Sequence, residues 1–65
     1  MSLNQRVKEI REAKAMTQDE LSKASGVGRI TISRIETGEL ENTTIGTIAK
    51  LAKGLEVSEA ELFGD

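Results

Sequence analysis

Arg29, Ile30, Ser33 and Arg34 are the residues whose types and spacing best equip this chain for chemistry, and that chemistry is recognition rather than reaction. Two guanidinium groups, a hydroxyl and one isoleucine fall at helical spacing on one face, while Ile32 and Ile35, three apart, fall on the other. Gly26 and Gly28 precede the segment and Gly38 follows it, so it reads as a turn, a short helix and a glycine stop. One face would be anchored on the protein. The other is held out to another molecule.

Composition narrows what that molecule can be. The chain has 65 residues with neither His nor Cys. Disulfides and thiolate metal sites are therefore absent, as are the usual zinc, iron and copper ligand sets, and no metal or other cofactor is expected. The commonest general base and the strongest nucleophile are missing too, and a chain of this size has little room for a substrate pocket, so no enzyme and no small-molecule substrate are expected. No stretch approaches the roughly twenty apolar residues of a membrane span, and the N-terminus lacks the apolar block of a secretory signal. A soluble, cytoplasmic protein follows as the expectation, with residues 1–65 forming a single domain. Such a domain buries only about 60 % of its unfolded surface.

The formal charge of -2 argues at face value against a nucleic-acid partner. Its distribution softens the objection. Residues 1–36 carry seven basic and five acidic side chains, a net of +2, whereas residues 37–65 carry two basic and six acidic, a net of -4. A mildly positive face can therefore oppose an acidic one.

The elements that must position the recognition segment all read as helix and turn. Leu3, Val7 and Ile10 follow the i, i+4, i+7 stripe of an amphipathic helix running to about Lys14, with Ser2-x-x-Gln5 as a capping box before it. Thr17-Gln18-Asp19-Glu20 forms a second capping box, and Asp19 and Glu20 suit the positive end of the helix dipole. That second helix is expected to turn Leu21 and Ala24 inward and stop at Gly26, with Val27 buried at the turn. The third runs from about Arg29 to Glu36. Thr44 caps a fourth, whose stripe of Ile45, Ile48, Leu51, Ala52 and Leu55 is the broadest in the chain. Gly46 within it costs roughly 1 kcal/mol relative to alanine, which marks either a close backbone approach or drift. Ser58-x-x-Glu61 is a third capping box, opening a last short helix with Leu62 and Phe63. Strict alternation over a strand's length is absent, and the fold class is all-α with five helices.

The pattern Thr17-Gln18-x-Glu20-Leu21, Gly26-Val27, Ile32-Ser33-x-Ile35-Glu36-x-Gly38 resembles the helix-turn-helix of phage repressor/Cro-type bacterial and phage regulators. Arg6-Val7-x-x-Ile10-Arg11 looks like that family's first helix, and Leu51-Ala52-x-x-Leu55-x-Val57-Ser58 like its fourth and fifth, so the likeness spans about Asn4 to Phe63. It implies a sequence-specific, double-stranded-DNA-binding transcriptional regulator, repressor or activator, working as a homodimer on a pseudo-palindromic site. Arg29, Ile30, Ser33 and Arg34 match positions that face bases. Thr17, Gln18, Gly28, Thr31, Thr37 and Asn42 match positions at or near phosphates, with Gln18 also bracing the recognition helix. An arginine there would pair bidentately with guanine, and Ile30 would meet a thymine methyl. Arg11 and Glu36 match a partly buried structural ion pair.

Duller readings stand beside these. Gln18, Ser33 and Thr37 fit equally well as solvated helix residues, Ile30 as a side chain packed against the second helix, and the two arginines as aids to solubility. The absence of an acidic residue among positions 28–35 argues against a salt-bridged face within that helix. Leu62 and Phe63 read either as a dimer surface or, for Phe63, as core. Two departures from the family pattern stand out: Glu39 and Glu41 in a loop that is often basic in relatives, and Glu56 where a glycine commonly follows the fourth helix. The acidic second half keeps open an alternative, a helix-turn-helix protein-interaction module with weak or no DNA binding.

Overall fold

The computed structural model describes residues 3–39 and 44–63. Among them are five α-helices and no strand: α1 (Leu3–Ala13), α2 (Gln18–Ser25), α3 (Arg29–Thr37), α4 (Ile45–Leu55) and α5 (Glu59–Phe63). Ser2, Asn42 and Glu41, which figure in the sequence reading, lie outside the described residues.

Local chemistry starts and stops these helices where the capping residues indicate. Thr17 accepts from the Glu20 amide at 3.0 Å, and the Glu20 carboxylate returns to the Thr17 amide at 2.8 Å, completing the capping box. Gly26 ends α2 in the left-handed region at φ 78°, which a side chain resists. Two serines then lock the turn. The Ser22 hydroxyl donates to the Val27 carbonyl at 2.7 Å, and the Val27 amide donates to Ser25 Oγ at 3.1 Å, so the chain enters α3 at a set angle. Gly38 closes α3 at φ 82°. Thr44 caps α4 by accepting from the Thr47 amide. At the last cap Ser58 accepts from the Glu61 amide at 3.2 Å. Glu56 ends α4 at φ 58°, so the turn forms there without glycine, at a conformational cost of roughly 1 kcal/mol.

One core unites the helices. Val7, Leu21, Val27, Ile32, Ile35, Ile48, Leu51, Ala52, Leu55 and Leu62 are buried, with Ile10, Met16 and Val57 packed at its edge. Each fully buried aliphatic side chain contributes about 1.5–3 kcal/mol relative to exposure, which is how so small a core holds. Helix α4 is the floor on which α2 rests, α1 and α2 support α3, and α5 closes against α1 and α4.

Three expectations about packing are corrected, and one open alternative is decided. Ala24 is exposed, because the contact between α2 and α4 is made through Leu21 and the end of the helix. Ile45, the first residue of α4, is 79 % exposed and does not join the buried stripe of Ile48, Leu51, Ala52 and Leu55. Leu62 is wholly buried in the core and so presents no dimer surface, while the side chain of Phe63 lies outside the described residues. Of the two readings open for Gly46, drift is the one that stands: among the described residues it meets nothing closer than the Thr44 hydroxyl at 3.9 Å.

The glycine that does permit close approach is Gly54. A Cβ there would lie 2.7 Å from Ser25 Cβ and 2.9 Å from Ser25 Cα and N, at the point where α2 ends on α4. The two glycines therefore predict opposite outcomes in thermal denaturation. Gly46→Ala, in the first turn of α4, raises stability by less than about 1 kcal/mol through helix propensity alone. Gly54→Ala lowers the melting temperature by forcing α2 away from α4, and equal effects at the two positions would contradict this packing.

Candidate nucleic-acid interface

Helix α3 divides by exposure as its sequence indicates. Ile32 and Ile35 are buried, whereas Arg29, Ile30 and Arg34 are exposed and Thr31 and Ser33 half-buried. Ile30 is 70 % exposed, which removes the reading in which it packs against α2. Gly28 is the N-cap, and its carbonyl receives the Ile32 amide at 3.0 Å, but no side chain caps the helix. The first-turn amides of α3 therefore lack intrahelical acceptors, the arrangement that favours an anion at a helix start. An added Cβ at Gly28 would meet only the Thr31 hydroxyl at 3.9 Å, so steric crowding does not account for the missing cap.

A partly buried cluster holds this helix in place. Arg11 from α1 donates through Nε to Glu36 Oε2 at 2.7 Å and through Nη2 to Glu36 Oε1 at 3.0 Å. Its third nitrogen, Nη1, donates to the Met16 carbonyl at 2.6 Å. Gln18 Nε2 adds a bond to Glu36 Oε1 at 3.2 Å. The side chains of Arg11 and Glu36 are only 12 % and 3 % exposed. The hydrogen bond to Glu36 pushes the Arg11 guanidinium above its ordinary pKa, against the opposing effect of burial, so the arginine stays charged throughout the physiological range. Two helices, α1 and α2, thus converge on the last turn of α3. The bracing role foreseen for Gln18 is made through this carboxylate.

Arg29 does have an acidic partner, which comes from α2 and not from its own helix. Its Nε lies 3.5 Å from Asp19 Oδ1, with both side chains about two-thirds exposed. Asp19 had stood out in the sequence only as a match for the helix dipole. Its pairing depends on the turn angle between α2 and α3, which spacing along one helix does not reveal. Arg11, Met16, Thr17, Gln18, Asp19 and Arg29 together line an open hollow of about 460 Å³ beside the starts of α2 and α3. Thr37 is exposed at the far end of α3, where its hydroxyl donates to the Arg34 carbonyl at 3.2 Å. Glu39 follows it, also exposed. No group of His, Cys, Asp or Glu among the described residues could hold a metal ion.

A helix-turn-helix family model matches residues 7–62. The chain belongs to this helix-turn-helix family, the phage repressor/Cro type. Among solved structures it is similar to the restriction-modification controller protein C.AhdI from Aeromonas hydrophila, at 36 % identity and a TM-score of 0.89, over 94 % of this chain and 91 % of that one. The restriction-modification controller C.Esp1396I is 39 % identical with a TM-score of 0.86, over 95 % of this chain and 79 % of that one. SinR, the master regulator for biofilm formation, solved in complex with DNA, is 31 % identical with a TM-score of 0.88, over 94 % of this chain and 97 % of that one. A search of curated proteins returned no significant match. No helix among the described residues is long and apolar enough to cross a membrane.

The partly buried cluster sets the first functional prediction. Arg11→Ala strands the Glu36 carboxylate and lowers stability by about 3–5 kcal/mol, far more than an exposed pair contributes. In a domain of this size that is a fall in melting temperature of more than about 10 °C. A shift within error would show that the pair carries no load.

Proposed function

We propose that this chain is a sequence-specific DNA-binding transcriptional regulator, cytoplasmic, whose helix α3 enters the major groove. The observation that carries the reading is the exposure of Ile30 between Arg29 and Arg34 on a helix whose other isoleucines are buried. An isoleucine left in water beside two guanidinium groups suits a surface that meets both thymine methyls and the acceptor-rich edge of guanine. Arg29, Ile30, Ser33 and Arg34 are the base-facing set in this proposal. Thr17, Gln18, Gly28, Thr31, Thr37 and Asn42 belong to the phosphate-facing set, supported by the uncapped start of α3 and the exposed Thr37. The five helices act as one DNA-binding unit.

A single module of this size offers little interface, so tight specific binding calls for a homodimer with recognition helices about 34 Å apart. With Leu62 committed to the core, the dimer surface must lie elsewhere than on that side chain. The solved relatives include a regulator bound to DNA and two controllers, which favours this reading over a protein-interaction module.

Selection from a random duplex pool, followed by a salt titration on the selected sequence, tests the proposal. It predicts an enriched pseudo-palindrome with half-sites about one helical turn apart, and a slope of log affinity against log salt of about 0.9 per phosphate contact. Absence of enrichment at low salt would refute it. On the selected site, Arg29→Ala relaxes preference at one base step per half-site by about 1–3 kcal/mol, whereas Gln18→Ala weakens all sequences more evenly.

A further inference from the structure

Among the described residues, the Asp19 carboxylate and the Arg29 guanidinium form an ion pair at 3.5 Å. The neighbouring acid, Glu20, is already committed to the capping box, so helix α2 does not need Asp19 to start. An ion pair this exposed contributes little to folding. It does, however, join the first turn of α2 to the first residue of α3, across the hollow that Gln18 and Thr17 also line.

We propose that Asp19 is the positioning residue for Arg29 and, through it, a determinant of base specificity; the inference rests on the DNA-binding reading above. The closest approach is Nε to Oδ1 at 3.5 Å, an ionic contact, so the guanidinium keeps its N–H donors for another acceptor. A guanidinium drawn toward the start of α2 by the Asp19 charge has fewer orientations to lose on meeting a guanine edge than one swinging freely on a long side chain. The same carboxylate stands where the start of α2 nears the phosphate backbone, and there it opposes binding to any duplex regardless of sequence. Only the first effect widens the gap between the correct site and all others; the second lowers affinity for every duplex alike. Affinity for random DNA is given up, and discrimination is gained.

The test compares the wild-type protein with Asp19→Asn, Asp19→Glu, Arg29→Ala and the Asp19→Asn/Arg29→Ala double variant. Each is titrated against the selected duplex, a set of single-base substitutions of it, and a random-sequence duplex, with thermal melts to establish that every variant is folded. Asp19→Asn raises affinity for random duplex about threefold or more at low salt, as removal of one carboxylate near phosphates requires. It also reduces discrimination at the base step read by Arg29 by about fivefold or more, and Asp19→Glu restores part of that loss. In the Arg29→Ala background, Asp19→Asn still raises random-duplex affinity but leaves base discrimination unchanged. Unaltered base preference in Asp19→Asn, or the same change with and without Arg29, overturns the proposal while leaving the DNA-binding reading intact. Failure of the wild-type protein to select any duplex overturns both.

Discussion

The carboxylate of Glu36 is the constraint on which the rest of the structure depends. It sits almost out of water at the end of the recognition helix, where an unpaired charge would cost several kcal/mol. Arg11 and Gln18 together supply three hydrogen bonds to it, so α1 and the start of α2 are both bound to the last turn of α3. Replacing such a cluster by apolar side chains can leave stability unchanged. What apolar contacts would lack is direction. The bidentate fork of Arg11 and the amide of Gln18 accept α3 at one angle and one register, which ordinary packing of Ile32 and Ile35 would fix less tightly.

From that anchor the remaining features follow as consequences. Gly26 and the two serine bonds to Val27 set the bend between α2 and α3, while Gly54 lets α4 come close enough to hold the end of α2. The bend brings the starts of α2 and α3 to the same side, and this is why Asp19 and Arg29, ten positions apart, meet at 3.5 Å. A surface assembled this way carries a local balance of charge rather than a uniform positive field. For a chain with net charge -2, specific recognition must then depend on a few well-placed donors more than on bulk attraction to phosphate.

Much of this was legible in the sequence because it rests on local rules. The capping box at Thr17, the glycine stops at 26 and 38 and the spacing of Ile32 and Ile35 place the central helices within a residue of their observed ends. The Arg11 and Glu36 pair was legible only through the family pattern, since nothing in a separation of 25 residues announces a contact. What escaped were features set by how helices approach one another. Ala24 and Ile45 fit the apolar stripes but are exposed, whereas Leu62 falls under α1 and α4 and is enclosed. Gly54 escaped and Gly46 drew notice for the same reason: propensity marks every helical glycine alike, and only the neighbouring backbone distinguishes them. Asp19 was hidden because its partner lies across the turn.

The central claim is that the outer face of α3 and the start of α2 form the surface presented to DNA. Amide chemical-shift mapping by NMR, with a selected duplex added stepwise, tests it most directly. The account predicts perturbations concentrated at Gln18, Asp19 and Gly28 through Arg34, with the buried faces of α4 and α5 little changed. Perturbations centred on α4 and α5 instead, with those residues unmoved at saturating duplex, would contradict it.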